Sequence, residues 1–534
     1  MSPASQFDPK WPSVAHLLRT QAASIPERTL FNFEGEEMTF AETEVQTNRM
    51  ARVLATHGVR HGDRVAVMMP NSLDFPVCWL AILKVGAVMV PVNIRYKEND
   101  LRHTLTDSGA KTAVAGAEEA KKIAAVKDNC PALEETITLE EPSPSIDGVA
   151  CVASEIRDAE ESWDIDHLSL RYLANIQYTS GTTGFSKGCM LTHDYWLRLG
   201  MLAGSQGDLG EDDVALTAQP FYYMDPQWNS VMCMIAGIPL VILPRFSAST
   251  FWQSVKENDV TFFYLLGTMP VYLLKQPPDP EVEKNHRMRL VVCSGIVPQL
   301  HATFEERWNV PWREAFGMTE TGVDLMVPFE DDASVGSGAM GKPVATKEAR
   351  VIDVEGNELP AGEVGQLTVK GKPMMDGYWN RPEATAETIR DGWLHTGDLV
   401  TRDEKGYFHM VGRLKDMIRR SGENISAAEV ESVLCEHPKV GAAACVPVPD
   451  ELRGEEVKAF IQLQNGETGE TAPPSELIAF AGEKLADFKL PRYIEYVDSF
   501  PLTPSERIAK PVLMEQKSNQ LSGCYDAESG TWRD

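Results

Sequence analysis

The stretch Tyr178-Thr-Ser-Gly-Thr-Thr-Gly-Phe-Ser-Lys-Gly188 lies between an apolar-edged run ending at Ile176 and the segment Cys189 to Trp196. That setting reads as a strand, then a loop, then a second strand or a helix. Its glycines, Gly181 and Gly184 among them, let backbone N–H groups approach an anion closely, and consecutive amides form a concave anion site. The hydroxyls of Thr179, Ser180, Thr182 and Thr183 add donors, and Lys187 brings a point charge suited to phosphate. A solvated linker has no need of so many donors around a single lysine. The loop is not a Walker P-loop, in which lysine directly follows glycine. Here Lys187 stands three residues after Gly184.

Outward from this loop, strand and helix patterns alternate. Arg64 to Met69 and Ala87 to Val92 are buried-strand runs, and Phe75 to Val85 between them has a helical pattern. Glu98 to Ser108 and then Lys111 to Ala115 repeat the order. Such alternation predicts a parallel sheet covered by helices. Glu140 to Asp166 is acidic and weakly patterned, which predicts a surface connection. Beyond the loop, the aromatic run Phe221-Tyr-Tyr-Met-Asp-Pro-Gln-Trp228 leads into a helix-like segment, Ser230 to Ile238. Leu240 to Leu243, Phe262 to Leu266 and Leu290 to Cys293 then read as strands. From Ala349 onward, short strands are separated by Glu-Gly-Asn and Pro-Ala-Gly turns, the texture of a smaller β-rich subdomain. Past Asp416 the pattern becomes α+β.

The fold class expected is therefore α/β. A large N-terminal domain, 1–413, holds two alternating βαβ sheet subdomains and a β-rich subdomain over about 340–413. A small mobile α+β domain follows over 414–534. Gly336-Ser-Gly-Ala-Met-Gly341 fits the dinucleotide fingerprint, but it follows acidic residues rather than a strand, and Pro343 stands where a helix must begin. It reads as a loop.

With 534 residues and a net charge of −28, the chain has room for a sizeable core but lacks the basic face of a general nucleic-acid binder. A local basic pocket for an anionic ligand remains compatible with that balance. Nine scattered cysteines form no C-x-x-C pair or metal spacing, which predicts reduced thiols and a cytoplasmic setting. No apolar run approaches the length of a membrane span, and Met1 to Pro12 lacks the order of a signal peptide. Two copies pairing as a homodimer is left open.

The order Ser-Gly-Thr-Thr-Gly-x-x-Lys-Gly resembles the phosphate loop of the adenylate-forming (AMP-binding) superfamily, which includes acyl-CoA synthetases. Further motifs follow in family order. Phe316-Gly-Met-Thr-Glu320 resembles the adenine and magnesium motif, Gly392-Trp-Leu-His-Thr-Gly-Asp398 the ribose motif, and Gly412-Arg-Leu-Lys-Asp416 the hinge. The texture is closest to carnitine- and crotonobetaine-CoA ligases. The resemblance implies an ATP-dependent carboxylate–CoA ligase, with ATP, Mg²⁺ and coenzyme A as cofactors and co-substrates and a small-molecule carboxylic acid as partner. It further implies that the small domain rotates about Lys415 between adenylation and thioester formation.

Each matched position also has a chemical reading. Asp398 offers two oxygens to the vicinal ribose hydroxyls, and Arg413 is a fixed fork donor for ribose or α-phosphate. Glu320 is a hard oxygen ligand suited to Mg²⁺. Thr319 is expected to donate to the α-phosphate. Phe316, next to Gly317, is expected to lie against adenine, and Ser294-Gly295-Ile-Val297 resembles the turn whose backbone borders that base. The acyl pocket is expected to draw on Tyr223, Asp225, Gln227, Trp228, Met269 and Val323, with Trp228 and Met269 closing off a long channel and favouring a small or medium acid. Asp225 is either a partner for a cationic substrate group or a turn cap.

The C-terminal end departs from the family. Where Pro-x-Thr-x-x-Gly-Lys is usual, the chain has Pro501-Leu-Thr-Pro-Ser-Glu-Arg507-Ile-Ala-Lys510. Arg507 takes the catalytic lysine's place in an ungapped match, and Lys510 is the alternative. Two other functions compete with the ligase: an adenylating enzyme that loads a carrier-protein phosphopantetheine, and a non-catalytic nucleotide binder.

Overall fold

The computed structural model describes residues 6–142, 144–179, 186–420, 423–450, 452–502, 508–515 and 520–533. The chain divides into two compact units, one holding residues up to 349 together with 369–394, the other holding 350–368 and 395 onward.

The first unit contains two sheets. One runs in the order Val149–Cys151, Glu135–Thr138, Thr112–Ala115, Arg64–Met68, Val88–Pro91, Leu173–Thr179, Lys187–Thr192. Its pairs are parallel except the last, which is antiparallel. Every residue of Val88–Pro91 and of Thr112–Ala115 is buried, as expected of parallel strands covered on both faces. Helix Asp74–Val85 is buried from Phe75 to Val85 and stops at Gly86, whose φ of 79° is the left-handed helix stop.

The second sheet runs Ala339–Pro343, Gly322–Met326, Trp312–Met318, Leu290–Ser294, Phe262–Leu266, Ala215–Thr217, Leu240–Ile242, Thr29–Phe33, Glu36–Thr39. Thr29–Phe33 through Trp312–Met318 are parallel, and antiparallel pairs lie at both ends. Trp252, Phe304, Trp308 and Trp312 pack with Phe251 and Phe263 beneath it as one aromatic core. The expected pair of alternating sheet subdomains is present.

Three local readings change. The connection Glu140 to Asp166 carries two elements its weak pattern did not mark: Val149–Cys151 pairs with Glu135–Thr138, and Ala153–Asp158 is a helix. All three residues of that edge strand are only half-buried, so no apolar alternation marks it. The helix expected from Ser230 begins at Met224. Pro226 is tolerated there because a first helical turn leaves its N–H groups unbonded anyway. Thr29–Phe33 is a strand that the sequence pattern did not reveal. The loop reading of Gly336 to Gly341 stands up to Gly338: Gly336 and Gly338 have φ of 77° and 71°, and strand Ala339–Pro343 follows.

In the second unit, Trp393–Arg402 pairs antiparallel with Phe408–Arg413. Farther on, Val440–Asp450, Gly454–Leu463 and Tyr493–Tyr496 form the centre of a sheet covered by helices Ala427–Cys435 and Pro474–Gly482. Val430, Leu434, Val457, Ile461, Leu477 and Ile494 make its core. Among the described residues no helix is long and apolar enough to cross a membrane. All nine cysteines are free.

Candidate active site

The segment expected to cradle phosphate follows one of two antiparallel strands and precedes the other, and the register sets Thr179 directly opposite Lys187. Ser180, Gly181, Thr182, Thr183 and Gly184 lie outside the described residues. The stem beneath them is tightly placed. Tyr178 donates its hydroxyl to Asp107 (2.8 Å), which also accepts from Arg381 (2.6 Å). A Cβ on Gly188 would stand 2.4 Å from Cγ2 of Ile176, so only glycine lets the hairpin close there.

Segment 375–379 runs beside Lys187–Thr192. The Met190 N–H donates to the Gly377 carbonyl, Asp376 N–H to Met190, and Trp379 N–H to Gly188, at 2.9, 2.9 and 2.8 Å. This places the Tyr378 ring under Lys187, with Nζ 4.2 Å from the ring centroid. The same tyrosine donates its hydroxyl to Oε1 of Glu320 at 2.8 Å. Glu320 is buried, with 7% of its surface exposed, and the Cys189 thiol is buried nearby. Burial first, and then the Glu320 charge, push that thiol's pKa well above its usual value.

Glu320 and Thr319 sit in the turn between Trp312–Met318 and Gly322–Met326. A Cβ on Gly317 would lie 1.9 Å from the Gly322 carbonyl oxygen, so the hairpin needs glycine at this point. Phe316 is half-buried on the first strand, and Val323 is half-buried on the second. Tyr195 donates its hydroxyl to the Thr319 carbonyl (2.9 Å). Lys347 donates to the Thr321 carbonyl (2.8 Å) and lies 3.1 Å from Asp324, both charges fully buried. The turn is therefore held from both sides.

Gly295 follows strand Leu290–Ser294 with φ of 92°. Its N–H and that of Ile296 each donate to one oxygen of Glu314, both at 2.7 Å. Burial pushes the Glu314 carboxyl up to about 7, against the pull of those two amides. The loop expected to border adenine is thus clamped by a carboxylate two residues before Phe316.

The residues expected in the acyl pocket cluster in part. Asp225 lies in the first turn of helix Met224–Ala236, where burial raises its pKa to about 6 while a hydrogen bond with the Trp228 side chain opposes the shift. Trp228 meets Tyr264 edge-on with centroids 5.4 Å apart, and the Tyr264 hydroxyl donates to Ser294 (2.8 Å). Tyr223 packs on Tyr222, and its hydroxyl oxygen accepts from Asn93 (3.2 Å). Met269 opens helix Met269–Leu274 and packs against the aromatic core. Gln227 is placed differently. Fully buried, it donates to the carbonyls of Phe221 and Tyr223 and accepts from Asn175, at 2.8, 3.1 and 2.8 Å. Its side chain ties the start of helix Met224–Ala236 to strand Leu173–Thr179.

In the second unit, Asp398 is fully buried and paired in register with Arg413, whose Nε lies 2.9 Å from Oδ1. Leu414–Asp416 is a single 3₁₀ turn; the Lys415 side chain lies outside those described. Lys510 opens helix Lys510–Glu515, and its Nζ lies 2.7 Å from Glu431 and 3.6 Å from Asp416. Burial lowers the Lys510 pKa, but those carboxylates outweigh it, and the net shift is upward. Arg507 lies outside the described residues.

Carboxylates suited to a metal are sparse: among the described residues no group of three potential ligands gathers. A Mg²⁺ ion held by one carboxylate, substrate phosphates and water needs no such group, and the buried Glu320 oxygens fit that role. Sequence reading missed Tyr378, Tyr264, Glu314 and Tyr195. The pair Gly377-Tyr378 in a polar segment was the available signal for the first; the others are ordinary members of strands and a helix.

The profile of the AMP-binding enzyme family matches residues 18–379, and that of the AMP-binding enzyme C-terminal domain matches 429–507. The crotonobetaine/carnitine–CoA ligase of Proteus mirabilis is 32% identical over 486 residues, spanning 89% of this chain and 92% of its own. That of Salmonella paratyphi A is 32% identical over 510 residues, spanning 94% and 97%. Among solved structures, ATP-bound MatB from Rhodopseudomonas palustris superposes with a TM-score of 0.84 at 30% identity, covering 94% of this chain and 98% of that one. The o-succinylbenzoate–CoA synthetase of Bacillus subtilis, in complex with its acyl-adenylate, gives 0.83 at 27% identity, covering 95% and 98%.

Proposed function

The chain belongs to the AMP-binding enzyme family of AMP-forming acid–CoA ligases, and on that footing we propose that its acid is a small or medium one bearing a cationic, betaine-type group. The reaction class has two steps. A carboxylate oxygen attacks the α-phosphorus of ATP, and pyrophosphate leaves; the CoA thiol then attacks the acyl carbon, and AMP leaves. The proteins need do little covalent work beyond positioning and charge stabilisation.

One observation carries the substrate reading: the half-buried Asp225 carboxylate beside Trp228, which in turn meets Tyr264. A quaternary ammonium has no hydrogen to donate, and it is recognised by aromatic faces together with a nearby negative charge. The relatives from Proteus and Salmonella are ligases for crotonobetaine and carnitine, which supports the same chemistry.

In this reading the loop ending at Lys187 cradles the phosphates with Thr179, Ser180, Gly181, Thr182, Thr183 and Gly184. Thr319 donates to the α-phosphate, Phe316, Gly317 and Gly295 border the adenine, and Asp398 with Arg413 holds the ribose. Glu320 would hold Mg²⁺, which neutralises phosphate charge when bound. Tyr223, Trp228, Met269 and Val323 shape the acyl pocket. Arg507 serves as the cation at the reacting phosphate, because Lys510 already has Glu431 and Asp416 as counter-charges. The small domain, 414–534, rotates about Lys415 between the steps, as hinges do at one or two element-terminal residues. The setting in this reading is cytoplasmic, in keeping with nine free thiols.

Acid-dependent ATP–pyrophosphate exchange across short-chain, betaine-type, aromatic and medium-chain acids tests the reading. The betaine-type acid is expected to give the highest kcat/KM. A ranking led by an uncharged acid, unaffected by Asp225→Asn, would discard it. Offering CoA against a carrier-protein thiol separates the ligase from a carrier-loading enzyme, and a total lack of exchange would leave a nucleotide binder.

A further inference from the structure

One aromatic side chain touches both charged groups of the phosphate site. Tyr378 donates its hydroxyl to the buried Glu320 carboxylate at 2.8 Å, and its ring face lies 4.2 Å below Lys187 Nζ. We propose that Tyr378 is a positioning residue: its hydroxyl aims Glu320 at the metal, its face seats Lys187 for phosphate, and so one rigid ring sets the spacing between acid and base. This rests on the assignment of ATP to that site.

The ring is over-determined in place. Backbone hydrogen bonds tie residues 376, 377 and 379 to the strand that carries Lys187. On the other side, the Tyr378 N–H donates to the Thr385 hydroxyl (2.9 Å). Gly377 has a φ of 138°, and a Cβ there would meet Thr385 Cγ2 at 2.7 Å, so the backbone cannot relax sideways. Only 6% of Tyr378 is exposed. A buried carboxylate needs a donor to offset its lost hydration, and a hydroxyl meets that need without adding charge. An arginine or lysine there would neutralise Glu320 and weaken its attraction for a cation. The ring face, in turn, holds an ammonium loosely enough to be surrendered to phosphate. Groups that orient a ligand from behind in this way are worth a great deal to it: their loss typically costs 10- to 100-fold in metal affinity or activity.

Tyr378→Phe keeps the face and removes the hydroxyl; Tyr378→Leu removes both. For Tyr378→Phe, the Mg²⁺ concentration giving half-maximal pyrophosphate exchange is expected to rise roughly tenfold, while binding of ATP without Mg²⁺, read by calorimetry, stays unchanged. For Tyr378→Leu, Mg²⁺-free ATP binding is expected to weaken as well, by roughly fivefold. In a Glu320→Gln background, Tyr378→Phe is expected to add nothing to the Mg²⁺ requirement. A wild-type Mg²⁺ requirement in Tyr378→Phe, or a shift that persists in full beside Glu320→Gln, overturns the proposal. If Glu320→Gln alone leaves MgATP binding untouched, the site assignment falls and takes this inference with it. If Glu320→Gln weakens binding and Tyr378→Phe does not, only this inference falls.

Discussion

Nε of Arg413 lies 2.9 Å from Oδ1 of Asp398, across an antiparallel strand pair in which the two residues are register partners. Asp398 is wholly buried, whereas the Arg413 side chain is 39% exposed. Nε of the guanidinium thus fixes one carboxylate oxygen, and in the proposed reading the pair grips the ribose.

Replacing Asp398 with Asn keeps the shape and removes the charge. AMP affinity, measured by calorimetry, is expected to fall about 10- to 100-fold, in line with the roughly 1.5–3 kcal/mol of a hydrogen bond to a charged group. Arg413→Lys is expected to weaken AMP binding less, since the charge stays and only the fork is lost. Undiminished AMP binding in Asp398→Asn would free this pair from any nucleotide role.

Lys347 and Asp324 form an ion pair with no exposed surface, directly beneath Thr321 and the Glu320 turn. Lys347→Met strands the Asp324 charge in the core, which is expected to cost about 3–5 kcal/mol. The double variant Lys347→Met/Asp324→Leu is expected to recover most of that loss, because neither charge then remains buried. Urea midpoints of the three proteins provide the comparison. A double variant no better than the single one would show that the carbonyl contacts of Lys347, and not its charge, hold the turn.

Asp225 makes the pH behaviour specific. The folded protein keeps it protonated up to about 6, against 3.8 as the ordinary value. Between those two pH values the native state binds more protons than the unfolded chain, so this group's contribution to stability declines as pH rises through the window. Asp225→Asn is expected to flatten that part of the stability profile. Catalysis runs the other way: KM for a cationic acid is expected to rise as pH falls through about 6, and the Asn variant loses this dependence. A KM profile identical in both proteins would remove Asp225 from substrate binding.

Arg507→Ala and Lys510→Ala are expected to separate. The first lowers the pyrophosphate-exchange rate with little change in thermal stability, as expected of a cation that acts at the reacting phosphate. The second leaves Glu431 without its 2.7 Å partner and lowers the melting temperature of the small domain, with a smaller effect on exchange. The reverse pattern would move the catalytic role to Lys510.

Much of this was legible from short-range order. Alternating apolar runs such as Arg64 to Met69 and Phe75 to Val85 announced a helix-covered parallel sheet, since both periodicities are local properties. Gly317 and Gly188 each face an atom that a Cβ would strike, a close approach that only the structure brings out. Edge strands such as Val149–Cys151 were not legible, because their hydrogen bonds come from the neighbouring backbone and ask nothing of their own side chains. Gln227 shows a similar limit: its composition suits a polar pocket, yet its side chain is spent on three partners within the fold.

By itself, then, the sequence determined the architecture, through hydrophobic periods that act over a few residues, and the reaction class, through motifs that resemble those of the AMP-binding enzymes. Only the tertiary structure decided that Tyr378, 191 positions after Lys187 by numbering and 58 after Glu320, stands between the two. It alone decided, too, that Glu314 clamps Gly295 and that Asp225 keeps its proton to about 6. Such contacts and shifts come from burial and from strands brought together across the sheet, and no local pattern encodes them.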